Sequence, residues 1–135
     1  NKLTDNFVVT NCYVVTDINY HKFFEHHIKK DAYISILGLK KSTKVPYGVL
    51  ELDNESNVEG IKEKPKQTHT IMTGIYIINK KALDFIPSQV EFGMDELIET
   101  LISNNKVVTS FVIKDGWYDM GQFSEYKKLL MHIDN

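Results

Sequence analysis

The chain has 135 residues, 42% of them hydrophobic and 25% charged, with a net charge of -2. This is the size and make-up of one globular domain, and the near-neutral charge gives no electrostatic footprint for nucleic acid or an acidic membrane surface. No apolar run approaches the roughly 18 residues of a membrane span, no signal peptide is visible, and the single cysteine, Cys12, excludes an internal disulfide framework and points to a reducing, cytoplasmic setting.

In chain order, strand-like and helix-like apolar patterns alternate. Residues 7–11 read as a short buried strand. Residues 20–29 read as a helix capped by Asn19, with Phe23, Phe24, His27 and Ile28 on one side. Residues 33–39 have strand composition. Residues 47–52 and 58–63 are strands around the polar cluster DNESN, which predicts a hairpin. Residues 70–78 are nearly apolar throughout, as in a central strand.

A short helical stretch, KKALDFI, closes at Pro87. A helix follows over about 94–104, where Met94, Leu97, Ile98, Leu101 and Ile102 recur at helical spacing. Asp95 and Glu96 occupy its first turn, where the helix dipole favours negative charge. Residues 107–113 form a strand, and a last helix from Gln122 carries Phe123, Tyr126, Leu130 and Ile133 inward. The fold class is α/β with a mixed sheet and an inserted hairpin.

Neither common glycine-rich phosphate cradle occurs. His21, His26 and His27 share a helix, but the neighbours His26 and His27 cannot face one site, so no zinc site is expected. What remains is a set of short polar words that each close a strand: TNCY (10–13), PYG (46–48), EKP (63–65), MTGIY (72–76) and WYDMG (117–121). Singly, PYG reads as a turn, EKP as a strand ended by proline, Gly74 as a bulge and Asp119 as the cap of the final helix.

Taken in order, these words closely resemble the sugar-phosphate nucleotidylyltransferases, the nucleoside-diphosphate-sugar pyrophosphorylases, from about residue 7 to about residue 130. The resemblance implies a Rossmann-like nucleotide-diphospho-sugar transferase fold. It also implies attack of a sugar 1-phosphate on the α-phosphorus of a nucleoside triphosphate, with Mg2+ as cofactor and pyrophosphate released. By the same resemblance Asp119 is the catalytic magnesium ligand. Asn11, Tyr47, Gly48, Glu63, Lys64, Thr73 and Gly74 are implied as substrate-binding positions: Tyr47 and Gly48 line the sugar pocket, Glu63 accepts from sugar hydroxyls, and Lys64 meets the sugar phosphate. Glu63 and Lys64 can reach one ligand only if the strand ends there, and Pro65 supplies that ending.

Two departures stand out. Nothing matches the glycine-rich triphosphate loop that opens the family's domain, so residues 1–135 are expected to be the C-terminal, sugar-phosphate-binding portion, inactive alone. A half-domain would expose a sheet edge and associate with itself or with its other half. Tyr13 stands where the family places a second magnesium-binding aspartate, and a neutral phenol is a poor magnesium ligand. Asp17 could compensate only through a remodelled loop. Tyr13 therefore supports an alternative reading, a sugar-phosphate-binding or regulatory module without metal-dependent catalysis.

Overall fold

The computed structural model describes residues 3–133, apart from the side chains at positions 128, 132 and 133. Strands β1 (Asn6–Thr10) and β2 (Val14–Thr16) lead to helix α1 (Tyr20–Lys29) and the long strand β3 (Ile34–Lys44). Next come β4 (Val49–Leu52), β5 (Val58–Lys62) and β6 (Lys66–Asn79). A 3-10 turn (Lys80–Phe85), α2 (Met94–Ser103), β7 (Val108–Ile113), β8 (Trp117–Asp119) and α3 (Phe123–Ile133) complete the order. Each segment expected from periodicity is present. Strands β2 and β8 are additional, because three residues are too few to display a period.

The main sheet has the order β1-β6-β3-β7. Only β3 and β7 run parallel, so the sheet is mixed, and β6 lies inside it as its apolar run predicts. The pairs β2-β8 and β4-β5 form two separate small sheets. Among the described residues β1 is hydrogen-bonded on one side only, leaving an open edge.

Alternation along the central strands sends side chains to both faces. On one face Ile34, Tyr76 and Ile78 pack with Ala82 and with Leu97, Ile98 and Leu101 of α2. On the other, Leu37, Ile75 and Ile77 pack with Phe23 of α1. Asn19 Oδ1 accepts from Lys22 N at 3.1 Å, capping α1 as expected. Glu96 folds back on α2 to accept from Gly93 N at 2.6 Å, satisfying a donor that the helix start would otherwise strand.

Three apolar assignments differ from expectation. Ile28 and Ile102 are exposed, because α1 rests on Phe23 and His27 and α2 on Leu97, Ile98 and Leu101, each one position short of them. In α3, Phe123 is 70% exposed and Tyr126 and Leu130 are both 43% exposed, while the side chain of Ile133 lies outside the described residues. The helix instead turns Glu125 inward, where its carboxylate lies 3.9 Å from Lys41 Nζ. Periodicity locates a stripe but not the surface opposite it. Among the described residues no helix is long and apolar enough to cross a membrane.

His27 joins α1 to the sheet. Its Nδ1 lies 2.7 Å from Ser35 Oγ and its Nε2 lies 3.0 Å from Asn6 Oδ1, which also accepts from Asn79 Nδ2. Asn6 Oδ1 can only accept, so Nε2 carries the hydrogen and Nδ1 receives the serine hydroxyl. Burial first, then the neighbouring His26, lowers the His27 pKa, with Asp31 opposing them. As pH falls through the ordinary histidine range the unfolded chain therefore takes up a proton that the folded chain refuses, and stability drops. Urea unfolding should show lower stability at about pH 5 than at about pH 7.5. His27→Gln should be weaker at the higher pH and show a smaller drop between the two.

Candidate functional site

The polar words gather into two groups. The first lies at the carboxyl end of β1. There the β3–β6 register slips: Ile36 pairs with Tyr76 and Gly38 with Met72, so Thr73, Gly74 and Ile75 together face Leu37. Gly74, with φ +80°, sits in this bulge, as one sequence reading anticipated. A side chain at Gly74 would overlap Asn11 Nδ2 and come within 2.8 Å of Asn11 Cγ. Instead the Gly74 carbonyl accepts from Asn11 N at 2.9 Å. Thr73 is buried, and its hydroxyl donates to the Leu37 carbonyl at 2.8 Å.

Asp119 reaches the same corner from β8. Val14 pairs with Asp119, and the Tyr13 carbonyl accepts from Met120 N at 2.8 Å. Asp119 Oδ1 accepts from Gly121 N at 2.9 Å and Oδ2 from Gln122 Nε2 at 3.3 Å. The carboxylate thus closes the turn into α3, as its structural reading expected, at the end of β8 that pairs with Val14. Trp117 Nε1 donates to the Thr73 carbonyl at 3.0 Å, a contact that the motif WYDMG gave no reason to expect.

The Tyr13 side chain is directed elsewhere. Its hydroxyl accepts from Asn11 Nδ2 at 3.0 Å. Burial raises the pKa of Tyr76, and the nearby Tyr13 and Asp95 raise it further. Tyr13 and Asp119 are tied through backbone, not through their side chains. Asp17 lies three positions along from Val14, about 10 Å of strand, and its amide donates to the Gly116 carbonyl at 3.2 Å.

The second group lies where β3 and β6 extend beyond the sheet as a two-stranded ribbon. Pairing continues from Gly38 with Met72 to Lys44 with Lys66, six positions or about 20 Å of strand. Beyond it, Lys64 N donates to the Tyr47 carbonyl at 3.2 Å, and a Cβ on Gly48 would stand 3.2 Å from Glu63 Oε2. Tyr47 is 74% exposed. Lys64 has φ +45°, and its Nζ is 3.6 Å from Glu63 Oε1. The left-handed turn at Lys64 brings the two neighbouring side chains to one side, a task the sequence reading gave to Pro65 alone. Among the described residues no hydrogen bond or ion pair joins this group to the first.

Charge at the two groups is sparse. The first holds one carboxylate, and among the described residues no three acid, histidine or cysteine side chains cluster as a metal cage would. All sixteen basic residues of the chain are lysines, so any phosphate contact within it is to a point charge, not to the planar fork of arginine. Magnesium is commonly held by one or two carboxylates together with substrate phosphates. Asp119 fits that mode, and Tyr13 adds no anionic ligand to it.

A family model described as nucleotidyl transferase matches residues 1–135. A mannose-1-phosphate guanyltransferase of Yarrowia lipolytica is 29% identical over 126 residues, covering 89% of this chain and 34% of its own length. A glucose-1-phosphate adenylyltransferase of Bacillus licheniformis is 25% identical over 116 residues, covering 77% of this chain and 30% of its own length. The chain thus spans about a third of these curated relatives. Among solved structures, HddC from Yersinia pseudotuberculosis superimposes with a TM-score of 0.64 at 28% identity, over 96% of this chain and 56% of that chain. A second HddC structure, complexed with GMP-PN, gives a TM-score of 0.63 at 26% identity.

Two substitutions probe the geometry. Gly74→Ala forces a Cβ into the left-handed region and against Asn11, and should destabilise the protein by about 1–2 kcal/mol or more in urea titrations. Lys64→Gly should leave stability equal or raise it by about 1 kcal/mol, since it removes the left-handed penalty and only an exposed ion pair.

Proposed function

The chain belongs to the nucleotidyl transferase family, and from that premise we propose that its protein transfers a nucleoside monophosphate from a triphosphate to a sugar 1-phosphate and releases pyrophosphate. The observation that carries this reading is the corner at the carboxyl end of β1, where Asn11 and Trp117 both bond the Thr73–Gly74 bulge and Asp119 stands two residues beyond Trp117 on β8. Crevices at the carboxyl ends of strands are where α/β sheets receive ligands. The relatives named for mannose 1-phosphate and glucose 1-phosphate support the class of acceptor without selecting one.

Such a transfer asks mainly for alignment and for neutralisation of crowded anionic oxygens. In this reading Asp119 holds magnesium that arrives with the phosphates, and the ion supplies charge neutralisation there. Gly121 and Gln122 orient the carboxylate, so its remaining lone pairs are preset. Lys64 meets the sugar phosphate, Glu63 accepts from sugar hydroxyls, and Gly48 leaves room for both the ligand and the Glu63 carboxylate. Cys12, exposed and unpaired, suits a reducing compartment such as the cytoplasm. The open β1 edge and the exposed residues of α3 favour self-association as part of this reading.

Pyrophosphate release by the full-length protein, with each nucleoside triphosphate and a panel of sugar 1-phosphates, tests the proposal. Turnover should require both substrates and magnesium, and Asp119→Asn should lower kcat about a hundredfold. Tyr13 favours one second reading, a sugar-phosphate-binding module that no longer catalyses. Sugar-phosphate binding without magnesium, combined with no pyrophosphate release, would select that reading and reject the first.

A further inference from the structure

The small β2-β8 sheet is separate from the main sheet, yet it carries Asp119. Its placement against the bulge of β6 must therefore come from contacts outside any shared ladder. One such contact is well defined. In the bulge three residues of β6 face one of β3, which interrupts the ladder there. The Thr73 carbonyl accepts instead from Trp117 Nε1 at 3.0 Å. Trp117 stands two residues before Asp119 on the same short strand and pairs with Thr16 of β2. Its ring packs among Phe23, Leu37, Ile75 and Ile77, so the indole is held by the core as well as by its hydrogen bond. The next carbonyl along, that of Gly74, anchors Asn11.

We propose that Trp117 is a positioning residue, whose indole N–H fixes the strand bearing Asp119 against the Thr73–Gly74 bulge and so sets the separation between the carboxylate and the backbone that borders the acceptor. The inference rests on the transfer reading above. Adjacent bonds to the carbonyls of Thr73 and Gly74 hold Asp119 on one side and Asn11 on the other, which makes the bulge the common reference for both. The indole acts through backbone and needs no contact with the substrate.

Trp117→Phe in the full-length protein keeps an aromatic ring against the core and removes the donor together with part of the ring volume, whose packing cost the second variant below reads separately. It should lower kcat about tenfold or more while leaving KM for the nucleoside triphosphate within about twofold. Hydrogen exchange at the Asn11 amide, which is bonded to Gly74, should quicken about tenfold in the same variant. Phe111→Leu, in the same apolar cluster, should lower the melting temperature but leave kcat within about twofold, separating positioning from packing. If Trp117→Phe leaves both kcat and the Asn11 exchange rate unchanged, the proposal is wrong. If the unaltered protein transfers no nucleotide, the transfer reading fails first, and the exchange rate alone then upholds or overturns the role of the indole.

Discussion

Three residues of β6, Thr73, Gly74 and Ile75, lie opposite a single residue of β3, and the chain can absorb that mismatch only because position 74 is a glycine at φ +80°. A β-bulge bends its strand, breaks the ladder locally and re-aims main-chain groups. Here each re-aimed group has a named partner. The Thr73 carbonyl takes the Trp117 indole, the Gly74 carbonyl takes the Asn11 amide, and the Thr73 hydroxyl turns back to Leu37. Lacking the bulge, β6 would continue as a regular central strand, and the Thr73 carbonyl would face β3 in place of Trp117.

The second constraint is spatial separation. Asp119 and its neighbours cluster at the sheet, whereas Glu63 and Lys64 stand at the end of a ribbon that β3 and β6 extend beyond it. The group at the sheet offers a carboxylate of the kind that suits a hard cation, and the group beyond the ribbon offers a carboxylate–ammonium pair. Both segments that turn sharply, at Gly74 and at Lys64, use left-handed backbone, one with a glycine and one without. A lysine in left-handed backbone is a local cost of the kind that marks a candidate functional position.

Much of this architecture was legible in the residues. The apolar runs of β3 and β6, the cap of α1 by Asn19 and the acidic start of α2 are local features, and the structure reproduces them. Four of the five polar words fall at strand ends, because glycine, proline and small polar residues end strands for local steric reasons, but MTGIY lies inside β6, where Gly74 forms the bulge. What misled was the apolar stripe of α3. Phe123, Tyr126 and Leu130 have the spacing of a buried face, but spacing carries no information about which surface lies across from it.

The amino-acid order by itself determined the α/β class, the family resemblance and the identity of the candidate groups, since these follow from composition, period and short motifs. It also showed the substitution of Tyr13 for an expected carboxylate. The tertiary structure alone decided that the Tyr13 hydroxyl bonds Asn11, that Asp17 stays beside Gly116, and that Trp117 bonds the bulge. Each of these depends on pairing between strands distant in sequence. A register shift of one residue would reverse every side chain involved.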